Sequence, residues 1–100
     1  MTSTLQRKLA VILHADIVGS TSLVQANETL AHQRMQDAFH RFSETIGKFG
    51  GIAHEIRGDA VVAEFPKASD ALSAAIVFQE ANALINEEVL DEIRPVARIG

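Results

Sequence analysis

Residues 9–21 read LAVILHADIVGST, and how this stretch is read decides the fold. Leu9, Ala10, Val11, Ile12 and Leu13 form an unbroken apolar run with no apolar/polar alternation, the pattern of a strand buried on both faces in the middle of a sheet. The run leads to Asp16 at the carboxyl end of that strand. A carboxylate placed where a central strand leaves its sheet is held rigidly and still meets solvent, which suits it to a metal or a ligand. Val18, Gly19, Ser20 and Thr21 then turn the chain toward a helix start, whose unpaired N–H groups can receive phosphate.

On the amino-terminal side, residues 1–6 are polar and the first strand is expected over about residues 7–15. Two cations precede the apolar run, but it meets His14 and Asp16 too soon for a signal peptide or a membrane span. On the carboxyl side, residues 20–26 suit a short turn or helical segment. Asn27 has the side chain of a helix cap, with Glu28 in the first turn where negative charge is favoured. Ala31, Met35, Ala38, Phe39, Phe42, Ile46 and Phe49 then recur at helical spacing, predicting an amphipathic helix of about five turns. It should stop at Gly50 and Gly51.

Residues 51–57 and 60–65 read as short strands parted by little more than Gly58 and Asp59, a tight hairpin with Asp59 at its turn. Pro66 ends the second of them. Ser69 and Asp70 are read as the cap of a second helix, with Ala71, Ala74, Ala75, Phe78, Ala81, Leu84 and Ile85 as its buried stripe. Residues 86–92 read as an acidic connection, and Pro95 introduces a last strand in Val96, Ala97, Arg98 and Ile99.

Strand, helix, strand, strand, helix, strand is the ferredoxin-like βαββαβ order, an α+β fold with an antiparallel sheet and two helices on one face. Right-handed crossovers place the third strand between the first and second, with the fourth on the other side of the first. Strands one and three then run antiparallel side by side. The end of the first, carrying Asp16, meets the start of the third, carrying Asp59, and two carboxylates 43 positions apart become neighbours.

Composition narrows the function classes. One hundred residues make a single domain, and the 47% hydrophobic and 22% charged shares are those of an ordinary globular protein. A formal net charge of -4 with no basic block argues against nucleic acid, and five Phe leave few platforms for base stacking. The absence of cysteine removes disulfides, thiolate metal sites and a cysteine nucleophile, and fits a reducing, cytoplasmic setting.

Two carboxylates at one sheet end, beside a small-residue loop entering a helix, form a site for Mg²⁺ and a nucleoside triphosphate. Magnesium takes a few carboxylates, keeps several waters, and completes its shell with phosphate oxygens. A pair of such ions can activate an attacking hydroxyl and stabilise departing pyrophosphate. The plainer alternative is that Asp16 caps a helix and Asp59 makes the turn, both common roles for aspartate.

ADIVGST, followed by RGDAVVAEF, resembles the amino-terminal half of the catalytic domain of class III adenylate/guanylate cyclases. The similarity includes the intervening helix and the GGIAHEIRGD approach, so it covers residues 7–100, read as one partial cyclase domain. The resemblance implies that Asp16 and Asp59 bind two divalent metals, Mg²⁺ or Mn²⁺, with the Ile17 backbone carbonyl as a further ligand. It implies that Gly19, Ser20 and Thr21 wrap the triphosphate. The implied reaction is cyclisation of ATP or GTP to a 3′,5′-cyclic nucleotide for signalling: the ribose 3′ oxygen attacks the α-phosphate and pyrophosphate leaves. The position that contacts the purine, usually lysine in adenylate and glutamate in many guanylate cyclases, is Glu55 here. An acceptor there leans toward guanine or a lapsed site, and Glu55 can equally be a strand residue paired with Arg57.

In that family the chain continues past the counterpart of Arg98, Ile99 and Gly100 into strands carrying a second purine contact and the transition-state asparagine and arginine. Active sites there combine two subunits. This chain is therefore expected to hold the metal and phosphate half, to self-associate, and not to turn over alone. The competing reading is a non-catalytic cyclase-like module for dimerisation or nucleotide sensing. A diguanylate-cyclase-like domain ranks below it, because the hairpin RGDAV lacks the second glycine and adjacent glutamate. A ferredoxin-like RNA-binding module ranks last. His14 is expected as a buried histidine satisfied by a backbone carbonyl rather than a metal ligand. His54 and Glu55 fall on opposite strand faces, and His32 and His40 are surface or boundary residues. Arg57 can reach a phosphate or balance local carboxylates, and Ser20 has no base nearby in sequence to make it a nucleophile.

Overall fold

The computed structural model describes residues 10–56, 60–89 and 93–100, without the side chains of residues 20, 21, 55 and 56. Among them the elements run β1 (Val11–Ile17), α1 (Ser20–Ala26), α2 (Glu28–Lys48), β2 (Ile52–Ile56), β3 (Ala60–Phe65), α3 (Ala68–Glu88) and β4 (Ala97–Ile99). The strands form one antiparallel sheet in the order β2-β3-β1-β4, the order that right-handed crossovers require. The fold is α+β, as the alternation of elements predicts.

β1 is central but is not buried on both faces. Ala15 and Ile17 are buried, whereas Ile12 is 52% exposed and His14 is also exposed. The helices that pack on the sheet cover one side only. Alternation is present in the environment although Ile12 hides it in the sequence. Within the described residues β1 also runs to Ile17, two residues beyond the expected end, so Asp16 lies in its last turn of pleat.

α2 buries Ala31, Met35, Ala38, Phe39, Phe42 and Ile46, the stripe its spacing predicts. Of these, Met35, Phe39, Phe42 and Ile46 meet Val61, Ala63 and Phe65 of β3 and Phe78 of α3 in one core. The Phe42 and Phe78 ring centroids lie 4.6 Å apart. The Asn27 side chain accepts from the Leu30 N–H at 3.1 Å, so the predicted cap forms. At the other end Gly50 adopts φ 79, a left-handed conformation that favours glycine. The Gly51 N–H donates to the Ile46 carbonyl at 2.9 Å and the Gly50 N–H to the Gly47 carbonyl at 3.1 Å, a Schellman closure.

α3 departs from the expected pattern in three ways. Its cap is Lys67, with no side-chain hydrogen bond, while Ser69 and Asp70 lie inside the first turn. Its buried row is Ala71, Ala74, Phe78 and Asn82, leaving Ala81 and Leu84 exposed and Ile85 at the margin. It also runs to Glu88, three residues into the stretch read as a connection. The row turned on Asn82, a polar residue passed over in a count of apolar ones. No helix among the described residues is long and apolar enough to cross a membrane.

Candidate functional site

The sheet register builds the site. Asp16 faces Ala60 on β3 and Arg98 on β4. Ala60 follows Asp59 directly in sequence, so the ladder brings the neighbour of the second expected carboxylate opposite the first. Asp59 itself, with Arg57 and Gly58, lies outside the described residues. So does the side chain of Glu55, whose backbone pairs with Val61 on β2's partner strand.

The carboxylate of Asp16 is engaged on both oxygens. Arg98 Nε donates to Oδ1 at 3.1 Å and Nη2 donates to Oδ2 at 2.8 Å. The Asp16 side chain is 28% exposed and that of Arg98 71%, so the pair lies on the sheet face that the helices leave open. The Arg98 hydrogen bonds hold the Asp16 carboxyl below its ordinary pKa, against partial desolvation, with added attraction from the charges of Arg98 and His14. The same contact raises the pKa of Arg98. Asp16 is therefore a carboxylate at neutral pH.

Ile17 follows as the last residue of β1, and the ladder to β3 ends one residue before it, at Asp16 and Ala60. Gly19, at φ 65 and ψ 32, turns the chain from β1 into α1 in a left-handed conformation. Ser20 and Thr21 consequently open α1, although their side chains are not among those described. His14 is exposed, which corrects its expected burial; it stands two residues before Asp16 on the same open face. His14 and His54 both pair with Val62, one on each side, so β3 separates them. His40 is a surface residue 2.9 Å from Glu44, one helical turn away, and His32 is exposed. Among the described residues no three His, Asp or Glu side chains gather to hold a metal.

Arg98 is the site residue that sequence reasoning missed. Its signal was one cation inside the apolar run Val96, Ala97 and Ile99, which marks a strand's open face. What it lacked was a register, because only strand pairing sets Arg98 against Asp16.

No protein-family model matches the chain. Along 97% of its length it is 31% identical, over 98 residues, to the curated protein named "Putative adenylate cyclase 3" of Rhizobium meliloti (strain 1021), and it spans 17% of that relative. The fold matches the crystal structure of the adenylyl cyclase CyaB from P. aeruginosa with a TM-score of 0.76 at 22% identity, covering 95% of this chain and 55% of that one. It also matches the crystal structure of a guanylyl cyclase with a TM-score of 0.72 at 22% identity, covering 91% of this chain and 51% of that one.

Proposed function

From the likeness to class III adenylate/guanylate cyclase catalytic domains, which holds along nearly the whole chain, we propose that these residues form the metal- and phosphate-binding half of a nucleotidyl cyclase site. The observation that carries the proposal is the ionised Asp16 beside the Arg98 guanidinium at the open end of the central strand. An anionic oxygen donor held at a strand end, with a guanidinium beside it, is a surrounding that suits a metal-bound triphosphate. The donor set is all oxygen, which fits Mg²⁺ or Mn²⁺.

In this reading Asp16 and Asp59 hold the divalent ions, with the Ile17 carbonyl as a further ligand. Such ions, when bound, neutralise charge that develops on the phosphates. Gly19 makes the turn that lets the backbone of residues 19–21 approach the triphosphate, and the Ser20 and Thr21 hydroxyls offer donors to its oxygens. Glu55 offers an acceptor to the purine edge, which favours guanine, whose N1 and N2 groups donate. The reaction served is attack of the ribose 3′ oxygen on the α-phosphate with loss of pyrophosphate, for cyclic nucleotide signalling. A homodimeric or other self-associated assembly is part of the proposal.

Calorimetric titration of ATP and GTP with Mg²⁺ or Mn²⁺ tests this, on wild type and on the Asp16→Ala, Asp59→Ala double variant. Metal-dependent binding that vanishes in the variant is the expected result. A folded wild-type chain that binds neither nucleotide at millimolar concentration returns the chain to a cyclase-like module without a working site.

A further inference from the structure

The fork of Arg98 and the metal expected at Asp16 call on the same two oxygens. We propose that Arg98 is a positioning residue that holds Asp16 as an internal counter-ion until a divalent cation exchanges for it. The inference rests on the reading of Asp16 as a metal ligand and adds a competition that the reading alone does not contain.

Three features support exchange rather than a permanent bridge. Both Asp16 oxygens accept from one guanidinium, Oδ1 from Nε and Oδ2 from Nη2, so the arginine lies across the edge of the carboxylate that a bidentate metal would take. The pair is set by the backbone, because Asp16 and Arg98 are direct cross-strand partners, so the carboxylate is aimed before any metal arrives. The two partners differ in freedom: the Asp16 side chain is 28% exposed and the Arg98 side chain 71%, so the arginine can leave into water while the aspartate stays. An exposed fork of this kind is a weak competitor. It yields to an ion carrying twice its charge.

The test follows Mn²⁺ alone, without nucleotide, by the electron paramagnetic resonance signal of the free ion. Wild type is compared with Arg98→Gln, Arg98→Lys and the control Arg94→Gln, whose arginine is exposed and bonds the Val89 carbonyl instead. Arg98→Gln should tighten Mn²⁺ binding by about two- to fivefold, the range an exposed ion pair withholds. Arg98→Lys, with the charge but no fork, should fall between the two, and Arg94→Gln should match wild type. A merely structural Arg98 would lower thermal stability without tightening the metal. Equal or weaker binding by Arg98→Gln, or a lysine variant indistinguishable from wild type, overturns the exchange and leaves the proposed function standing. If no variant binds Mn²⁺ while circular dichroism shows each folded, the metal reading of Asp16 fails and the exchange with it.

Discussion

The place of Asp16 at the end of the central strand was legible from the apolar run before it; its partner was not, because a cation 82 positions away announces no contact. The pair has a consequence in pH. A carboxylate whose folded pKa lies below its unfolded value adds stability that is complete above the unfolded value, about 3.9, and is lost as pH falls through the folded one. Titration of the Asp16 carboxyl by NMR should give a midpoint below the ordinary aspartate range, and Arg98→Gln should raise it. A midpoint that does not move in the variant would show that the fork is not formed in solution. Gly51 carries a second prediction at this scale. A Cβ built there lies 2.6 Å from Phe65 Cε1 and 2.8 Å from Ile46 Cγ2, both side chains of buried residues. Neither can swing away, so Gly51→Ala should destabilise the fold by about 1–3 kcal/mol in urea denaturation, the usual cost of overpacking.

Among the elements, the buried stripe of α2 was readable in all but Phe49, which is the half-buried cap beyond its end, and that of α3 was not, for one physical reason. α2 buries only apolar side chains, so the helical period stands out against the polar faces. α3 is apolar on several sides, with Leu72, Ile76, Val77 and Leu84 all exposed, and its inward row ends on a polar residue. That residue, Asn82, ties elements together. It is 3% exposed, its Nδ2 donates to the Pro95 carbonyl at 2.9 Å, and its Oδ1 accepts from Arg41 Nη2 at 3.1 Å. Pro95 leads into β4, so Asn82 helps seat the short strand that presents Arg98. Asn82→Leu leaves Arg41 Nη2 without this acceptor and should cost about 1–3 kcal/mol in a denaturant melt. Hydrogen exchange at the Arg98 amide should accelerate more than at Val61, in the middle of β3. Uniform acceleration would mean that Asn82 stabilises the whole domain and not β4 in particular.

At the scale of the whole molecule, the topology was legible and the distribution of its surfaces was not. Strand order followed from element order and handedness, but which apolar residues face water depends on how much of the sheet and of α3 is covered. α3 and the β1–β4 side of the sheet frame a groove of about 480 Å³, lined in part by Val11, Leu13, Leu72, Ile76 and Ile99. Leu72 is 62% and Ile76 49% exposed there, and Val77 and Leu84 are exposed elsewhere on the same helix. Exposed apolar surface of this kind drives association, because each copy removes the other's exposed side chains from water. The chain should therefore show concentration-dependent association in sedimentation velocity. Leu72→Lys combined with Ile76→Lys should shift it toward the monomer, since a charge at either site is desolvated on contact. The substituted positions lie on α3, whereas Asp16 and Arg98 lie on the sheet face opposite the helices, so Mn²⁺ binding should be unchanged in the same variant. Association that persists at wild-type strength would place the contact elsewhere, the next candidate being the open sheet face, where Ile12 and Ile52 flank Glu64 at 52% and 59% exposure. A contact on that face would be expected to alter Mn²⁺ binding when broken, because it adjoins Asp16, and the two surfaces are thereby separated by a single pair of measurements.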